Sequence, residues 1–599
     1  MMISRTFDIL ALQLKKYPQD KTIVCLEHGS WNAYSTQSCI ELADQYSRCL
    51  LAAGIQKGDR VVIIPHLATA DWVLLDLAIQ QVGAIVVPVH FSSPVDQLHY
   101  VLKHTEAKLC FIEDAVQGEK CAPATRVFPD LQLVYLKEAP ADGTDLASWS
   151  KPSPKQQSID LESIKAGVKT EDLAAILYTS GTTGIPKGVM LSHANIVSNL
   201  HAVIPLLPIN SRKTVMSFLP FSHILERMTL YTYLATGAQL YLPGDRDYLP
   251  IAFKEVKPHI FTSVPRILEK MYEIILAKRP TMNWLQRKIA TWAIQIGKNY
   301  RERPSVAPLY WIKLQLARLL VFRKLKNELG GRVEAIVIGA AYLQPELGRL
   351  FGAMKIKVRE GYGMTETSPV VTLNRFRPGL YSFGTVGLPI PGVNIRIADP
   401  DEQGEGEILV KGPNVMLGYY KNPEATAAVL KADGWLHTGD IGKFVKSRFL
   451  QITDRKRDIF KTSSGEFIAP LVLENHLKQS PYIEQVIAVG FQHPFVTAII
   501  KPNFPLLENW CRAKEIHWTG PEYMVHNIKV KEKMQSEIDK LNTELPNYQT
   551  IRAFHLTARE WTIESGLLTY TMKMVRAKIL ETYVKEIEEL YEEHGGSVE

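Results

Sequence analysis

The amino-acid sequence predicts a multi-domain α/β protein, and three observations carry that reading. Over about the first 380 residues, short apolar runs alternate with helical patterns, the arrangement of βαβ units around parallel sheets. From about residue 384 the texture changes to short strands with regular turn signals, which indicates an antiparallel β unit. Five successive charged residues, Asp454-Arg-Lys-Arg-Asp458, then mark an exposed junction, and the last stretch of about 140 residues mixes short strands with amphipathic helices. The expected organisation is a large N-terminal domain, 1–456, of two α/β subdomains with parallel-type sheets plus a small β unit, and a small α+β C-terminal domain, 457–599. With 599 residues, 46% of them hydrophobic, the chain has enough apolar content for several cores.

In chain order, 42–53 is an amphipathic helix, 60–65 a buried strand, 72–81 a helix and 82–88 a second buried strand. Runs 108–112 and 131–135 extend the sheet, and the polar, Pro- and Ser-rich stretch 137–170 reads as a surface connection. The run 174–178 is a further buried strand, and a helix is expected to begin near 193–195. Strands follow at 215–219, 238–242, 259–263 and 333–339, and 357–360 leads into the turn-rich Gly361-Tyr-Gly-Met-Thr-Glu-Thr367. The stretch from about 276 to 329 has no strand signal and forms a basic helical insert. The β-rich part, about 384–453, offers strands at 384–389, 393–397 and 406–410.

Net charge is +7 with pI ≈ 8.8, too mild over this length to imply nucleic acid as a partner. Its distribution is uneven. Between Lys278 and Lys326 twelve Lys and Arg face one acid, Glu302, a local +11 that leaves −4 for everything else. Trp284, Trp292, Tyr310, Trp311 and Phe322 interleave with these cations. That pattern suits peripheral contact with an anionic membrane, and it equally suits a solvated helical hairpin whose tryptophans pack inward. The six cysteines (25, 39, 49, 110, 121 and 511) form no CxxC pair, so neither a zinc site nor a disulfide scaffold is indicated, and reduced thiols in a cytoplasmic compartment are the simplest reading. The first residues lack a signal-peptide core and no window reaches ~18 uninterrupted apolar residues. A cytoplasmic protein that does not span a membrane is expected, with the basic insert allowing a peripheral position on its inner face.

The stretch Tyr178-Thr-Ser-Gly-Thr-Thr-Gly-Ile-Pro-Lys-Gly-Val-Met-Leu-Ser-His193 has the composition of a phosphate cradle. Glycines let backbone N–H groups approach an anion, hydroxyls add donors and Lys187 supplies a compact positive charge. The following helix would put this loop at a helix N-terminus. A P-loop kinase or ATPase is excluded, because Lys187 follows Pro186 and precedes Gly188 where that motif requires Gly-Lys-Ser/Thr.

Four further motifs follow in order: Leu219-Pro-Phe-Ser-His-Ile-Leu-Glu-Arg227, Gly361-Tyr-Gly-Met-Thr-Glu366, Trp435-Leu-His-Thr-Gly-Asp440 and Asp454-Arg-Lys-Arg-Asp458. The series resembles the acyl- and aryl-adenylating enzymes, the superfamily of acyl-CoA synthetases, peptide-synthetase adenylation domains and firefly-type luciferases, from about Asp8 to Lys578. The resemblance implies an AMP-forming acid–thiol ligase that uses ATP, Mg²⁺ and CoA. Activating a carboxylate with ATP needs charge neutralisation on the triphosphate and groups that hold the α-phosphorus in line with the acyl oxygen. By resemblance, Thr179, Ser180, Gly181, Thr182, Thr183, Gly184 and Lys187 hold the β and γ phosphates. Thr179 and Glu366 would bind the metal, and Thr365 the α-phosphate. Gly339, Ala340, Ala341, Glu360, Gly361, Tyr362 and Gly363 match the adenine-binding segments, Asp440 and Arg455 the ribose ligands, and His223 the approach to the acyl carboxylate. Each type has an ordinary structural reading too: Glu366 as a helix N-terminal acid, Asp440 as a turn residue, His223 as a satisfied surface or core group.

The family's adenylation lysine is matched by Lys573 in Gly566-Leu-Leu-Thr-Tyr-Thr-Met-Lys-Met-Val-Arg576, although Tyr570 stands where long-chain enzymes usually have Pro, and Lys578 is the rival position. Arg457 matches the hinge about which a mobile C-terminal domain swings between half-reactions, at a position that usually carries Asp or Lys; Lys461 and Gly465 would border the CoA channel. The 219–227 wording and the helical segment before Gly330-Gly-Arg332 resemble long-chain fatty acyl-CoA synthetases, implying a long-chain fatty acid as substrate. Two alternatives stay open: acyl carrier protein as acceptor in place of CoA, and a non-catalytic lipid-binding or scaffold protein that keeps the fold.

Overall fold

The computed structural model describes residues 3–64, 69–179, 185–245, 247–277, 283–301, 308–463, 465–562, 565–569 and 574–594. Two large mixed sheets organise the N-terminal portion. The first has nine strands in the order Leu388–Pro389, Val370–Leu373, Lys357–Gly363, Ala335–Ile338, Ile260–Ser263, Thr214–Met216, Gln239–Leu242, Ile23–Glu27, Ser30–Tyr34. Its interior pairs are parallel and antiparallel strands close both edges. The second has eight strands in the order Gly418–Tyr419, Lys187–Ser192, Leu173–Thr179, Ile85–Pro88, Arg60–Ile64, Leu109–Ile112, Gln132–Tyr135, Thr144–Asp145. Ile85–Pro88 and Leu109–Ile112 are continuous apolar runs buried throughout, as parallel strands covered on both faces must be.

The helix Ala70–Gln81 is apolar all round and every residue but Asp71 is buried, because it lies inside the large core. Thr69 caps it by accepting from the Trp72 N–H. Its one buried charge, Asp76, meets the Arg227 guanidinium at 2.5 Å and accepts from the Tyr231 hydroxyl at 2.5 Å. Both partners sit on the helix Ile224–Ala235, so a fully buried ion pair locks these two helices in register.

Two expectations need correction. The loop after Thr179 does not open onto a helix N-terminus. Leu173–Thr179 and Lys187–Ser192 pair antiparallel with Thr179 opposite Lys187, so a β-hairpin follows Thr179, and the helix His193–Val203 starts only after the second strand. The strand has the short apolar run Val189-Met-Leu191, which its glycine and lysine obscure. The 384–389 run is a strand only over Leu388–Pro389, since Gly384 and Gly387 adopt φ of +80° and +93°. The antiparallel unit is a four-stranded sheet of Asn394–Ala398, Gly406–Lys411, Leu436–Val445 and Phe449–Arg455.

The insert is helical: Pro265–Ala277, Trp284–Lys298, Pro308–Ala317, a wider π turn at Arg318–Phe322, and Arg323–Glu328. Gly297 lets it seat closely on the helix Pro345–Ala353, where an added Cβ would lie 2.5 Å from Leu350. After residue 457 come a two-stranded hairpin and a three-stranded sheet, Ile483–Val489, Val496–Pro502 and Ile551–Leu556, packed by helices such as Pro470–Leu477 and Ile528–Asn542. The apolar clusters divide at the same place: among the described residues those of the N-terminal portion end at Leu450 and those of the C-terminal portion begin at Phe460. Polar contacts cross the boundary. Asp454 accepts from the Leu471 N–H at 3.0 Å, Gln344 donates to the Lys478 carbonyl at 2.7 Å and Arg266 pairs with Glu484 at 2.5 Å.

Candidate active site

A cleft of about 1420 Å³ opens between the two portions. Three sheets bring polar groups to it. The hairpin of the second sheet supplies Thr179 and Lys187. The first sheet supplies Gly339 to Ala341 beyond the end of Ala335–Ile338, and Glu360 to Glu366 from Lys357–Gly363 and the turn after it. The antiparallel sheet supplies Asp440 and Arg455, directly opposite one another on neighbouring strands.

Asp440 is held from two sides: its Oδ2 accepts from the Tyr362 hydroxyl at 2.7 Å and its Oδ1 lies 3.3 Å from Arg455 Nε. This fixes an acidic acceptor at the cleft wall beside a cation whose side chain is 43% exposed. Gly363 has no room for a side chain, because a Cβ there would meet the Pro369 carbonyl oxygen at 1.8 Å; the strand bulges at this point to turn residues 361–366 toward the cleft. Ala340 takes φ +72°, a left-handed conformation rare for a residue with a Cβ and one often found where backbone is shaped for a ligand.

Glu366 is nearly buried, and its Oε1 accepts from the Tyr419 hydroxyl at 2.9 Å. Burial pushes its carboxyl up from the ordinary range, and the Tyr419 hydrogen bond acts the other way. Lys187 Nζ stands 5.2 Å from the centre of the same Tyr419 ring, so Tyr419 bridges the hairpin cation and the buried carboxylate. Tyr419 escapes sequence inspection: it belongs to a two-residue edge strand, and its partners lie in distant motifs. Glu360 also lines the cleft, and burial pushes its carboxyl up to about 8. His223 caps the helix Ile224–Ala235, its Nδ1 accepting from the Leu225 N–H at 3.3 Å, while the residue faces the cleft.

From the other side come Thr569, Met574 and Arg576. Arg576 is anchored by the Ala488 carbonyl at 2.8 Å and by Glu474. The expected lysine at 573 and the loop positions Ser180, Gly181, Thr182, Thr183 and Gly184 lie outside the described residues.

The sequence matches the AMP-binding enzyme profile over residues 10–420 and the profile of the AMP-binding enzyme C-terminal domain over 457–595. The chain belongs to the AMP-binding enzyme family. Among relatives of this family, the long-chain-fatty-acid–CoA ligase FadD15 of Mycobacterium tuberculosis is 32% identical over 596 residues, 98% of this chain and 97% of that protein. Long-chain-fatty-acid–CoA ligase 1 of Homo sapiens is 30% identical, with 91% of this chain and 81% of that one aligned. The fold is that of the adenylation domain of a carboxylate reductase from Mycobacterium chelonae, with a TM-score of 0.74 at 22% identity over 98% of this chain and 91% of that one. It is also that of ATP-bound MatB from Rhodopseudomonas palustris, with a TM-score of 0.68 at 22% identity over 98% and 100%.

Within this AMP-binding fold, not every expected residue reaches the cleft. Arg457 does, with its Nε 3.6 Å from Asp458. Lys461 and Gly465 do not line it; both are exposed, on the hairpin of Phe460–Lys461 and Phe467–Ile468, where Lys461 Nζ lies 5.3 Å from the Phe467 ring centre. Asp454, the first residue of the junction expected to be exposed, is instead buried; it lines the cleft and accepts from the Leu471 N–H at the start of the helix Pro470–Leu477, and burial pushes its carboxyl up to about 6.

Proposed function

We propose that this chain is an ATP-dependent long-chain fatty acid–CoA ligase. The observation that carries the reading is that one cleft is lined both by polar groups, Lys187, Glu366, Asp440 and Arg455, and by apolar ones, Val203, Leu207, Ile224, Met228, Tyr233 and Ile260. Such a cavity can hold a nucleotide and an aliphatic acid with their reactive groups together. The names of the full-length relatives support the same substrate class.

In the first half-reaction the acid's carboxylate oxygen attacks the α-phosphorus of ATP, forming acyl-AMP and releasing pyrophosphate. Lys187 and the hairpin hydroxyls offset charge on the departing phosphates, Thr365 bonds the α-phosphate, and Asp440 with Arg455 holds the ribose hydroxyls. Residues 339–341 and 360–363 form the adenine wall. Among the described residues no group of three or more His, Cys, Asp or Glu could hold a metal alone. A buried carboxylate, Glu366, with Thr179 lining the same cleft, instead fits Mg²⁺, which takes one or two protein ligands and completes its shell with substrate phosphates and water. When bound it would neutralise phosphate charge. Lys573 supplies a further cation from the C-terminal side. In the second half-reaction the CoA sulfur attacks the acyl carbonyl, its proton is lost and AMP leaves. Rotation of the C-terminal domain about Arg457 exchanges the Lys573 face for the thiol approach, with Lys461 and Gly465 then bordering it; their position outside the present cleft supports a channel formed only in that second orientation.

The test is pyrophosphate release across saturated acids of increasing length, with and without CoA. Release that rises for long chains, with acyl-CoA appearing only when CoA is added, supports the reading. Turnover of short or aromatic acids alone, or acyl transfer to a carrier protein and not to CoA, would replace it.

A further inference from the structure

The insert turns apolar side chains outward. The segment Pro308–Phe322 is hydrophobic on two faces: Leu314, Ala317 and Phe322 are buried, while Leu309, Ile312, Leu316, Leu319 and Leu320 recur at steps of three and four on the other side, between 47% and 64% exposed. Of the tryptophans, Trp292 packs on the core, whereas Trp284 and Trp311 are 68% and 57% exposed. Lys288 Nζ sits 5.2 Å from the centre of the Trp284 ring. Lys313 is exposed on the outward segment, and Arg323 and Lys324 are exposed on the helix Arg323–Glu328 that continues it.

We propose that this surface docks the protein on an anionic lipid bilayer. Contiguous exposed aliphatics with tryptophans and rimming cations are the chemistry of an interfacial helix, whose apolar side enters the acyl boundary while basic groups meet lipid phosphates. No described helix is long and apolar enough to cross a membrane, so the segment lies on the surface. A second copy of this chain is a poorer occupant, because a two-fold contact would oppose like charges at Lys313, Arg323 and Lys324. An acidic protein would answer the cations and leave the aliphatic row without an apolar counterpart. The bilayer satisfies both. Supply of membrane-dissolved acyl chains to the cleft rests on the ligase reading; the docking itself does not.

The test is flotation of the full chain, without ATP, with vesicles of phosphatidylcholine alone or containing about 30% phosphatidylglycerol, at low and high salt. Binding should require the anionic lipid and fall at high salt. Lys313→Gln, Arg323→Gln and Lys324→Gln together should weaken it roughly a hundredfold, since each cation near an anionic leaflet contributes roughly fivefold. Leu316→Glu with Leu319→Glu should weaken it at least about tenfold. Acyl-adenylate formation from a detergent-dispersed acid should stay at the parent level in the charge variant, which separates loss of docking from loss of fold or of the ligase activity. Failure of the parent chain to float, equal flotation of every variant, or a dimer that dissociates in Leu316→Glu would overturn the proposal.

Discussion

Replacing Tyr419 by Phe tests the coupling at the centre of the site. The substitution keeps the aromatic ring 5.2 Å from Lys187 Nζ, so the cation–π contact survives, and removes only the hydroxyl that donates to Glu366 Oε1 at 2.9 Å. A buried acceptor left without a donor costs about 1–3 kcal/mol. Because Glu366 borders the cleft, water can take part of the lost role, which places the expected cost near the lower end, roughly five- to twentyfold. The same hydrogen bond holds the Glu366 carboxyl down against burial, so its loss raises the carboxyl further and lets a proton compete with the metal. The assay is pyrophosphate release at saturating acid and ATP with Mg²⁺ titrated, at one acidic and one alkaline pH. Half-saturation by Mg²⁺ should rise about five- to twentyfold at acidic pH and recover toward the parent value at alkaline pH, where Glu366 ionises regardless. An unchanged Mg²⁺ requirement, or a defect equal at both pH values, would refute the reasoning.

Three other outcomes are expected. Lys573→Ala should lower acyl-adenylate formation by roughly a hundredfold or more while thioester formation from supplied acyl-AMP persists, and intact adenylation would move the role elsewhere. Arg457→Pro should do the reverse, sparing pyrophosphate release and lowering acyl-CoA yield, and equal loss of both steps would exclude the hinge. Burial pushes the Glu226 carboxyl up to about 8 from an ordinary value of 4.5, so the folded state binds a proton that the unfolded state releases. Its contribution to stability is full below about 4.5 and is lost as pH climbs through about 8. Glu226→Gln should therefore raise Tm more at pH 8 than at pH 5, measured by thermal denaturation, and a Tm gain no larger at pH 8 would contradict the assignment.

Much of this molecule is legible in its sequence because parallel strands and phosphate-facing turns leave local marks. Runs such as Val61-Val-Ile-Ile64 announce their burial by composition, and the glycines at 361 and 363 announce backbone that must pass close to other backbone. What escapes is pairing across distance. Nothing near residue 419 says that its hydroxyl meets Glu366, and nothing near residue 187 separates a hairpin from a helix cap until the pairing of Thr179 with Lys187 is known. The insert shows a third limit: its interleaved tryptophans and cations fit an inward or an outward arrangement equally, and only the packing of Trp292 against the exposure of Trp284 and Trp311 decides between them.

The boundary near residue 456 has a consequence for engineering. No apolar cluster among the described residues spans it, and the junction rests on such polar links as Asp454 to the Leu471 N–H, Gln344 to the Lys478 carbonyl and Arg266 to Glu484. Links of that kind can be rewritten a residue at a time, without repacking either interior. The C-terminal portion is thus a replaceable tool head: a counterpart grafted from a relative needs to match a handful of polar partners at the seam, and the nucleotide-facing body can stay as it is.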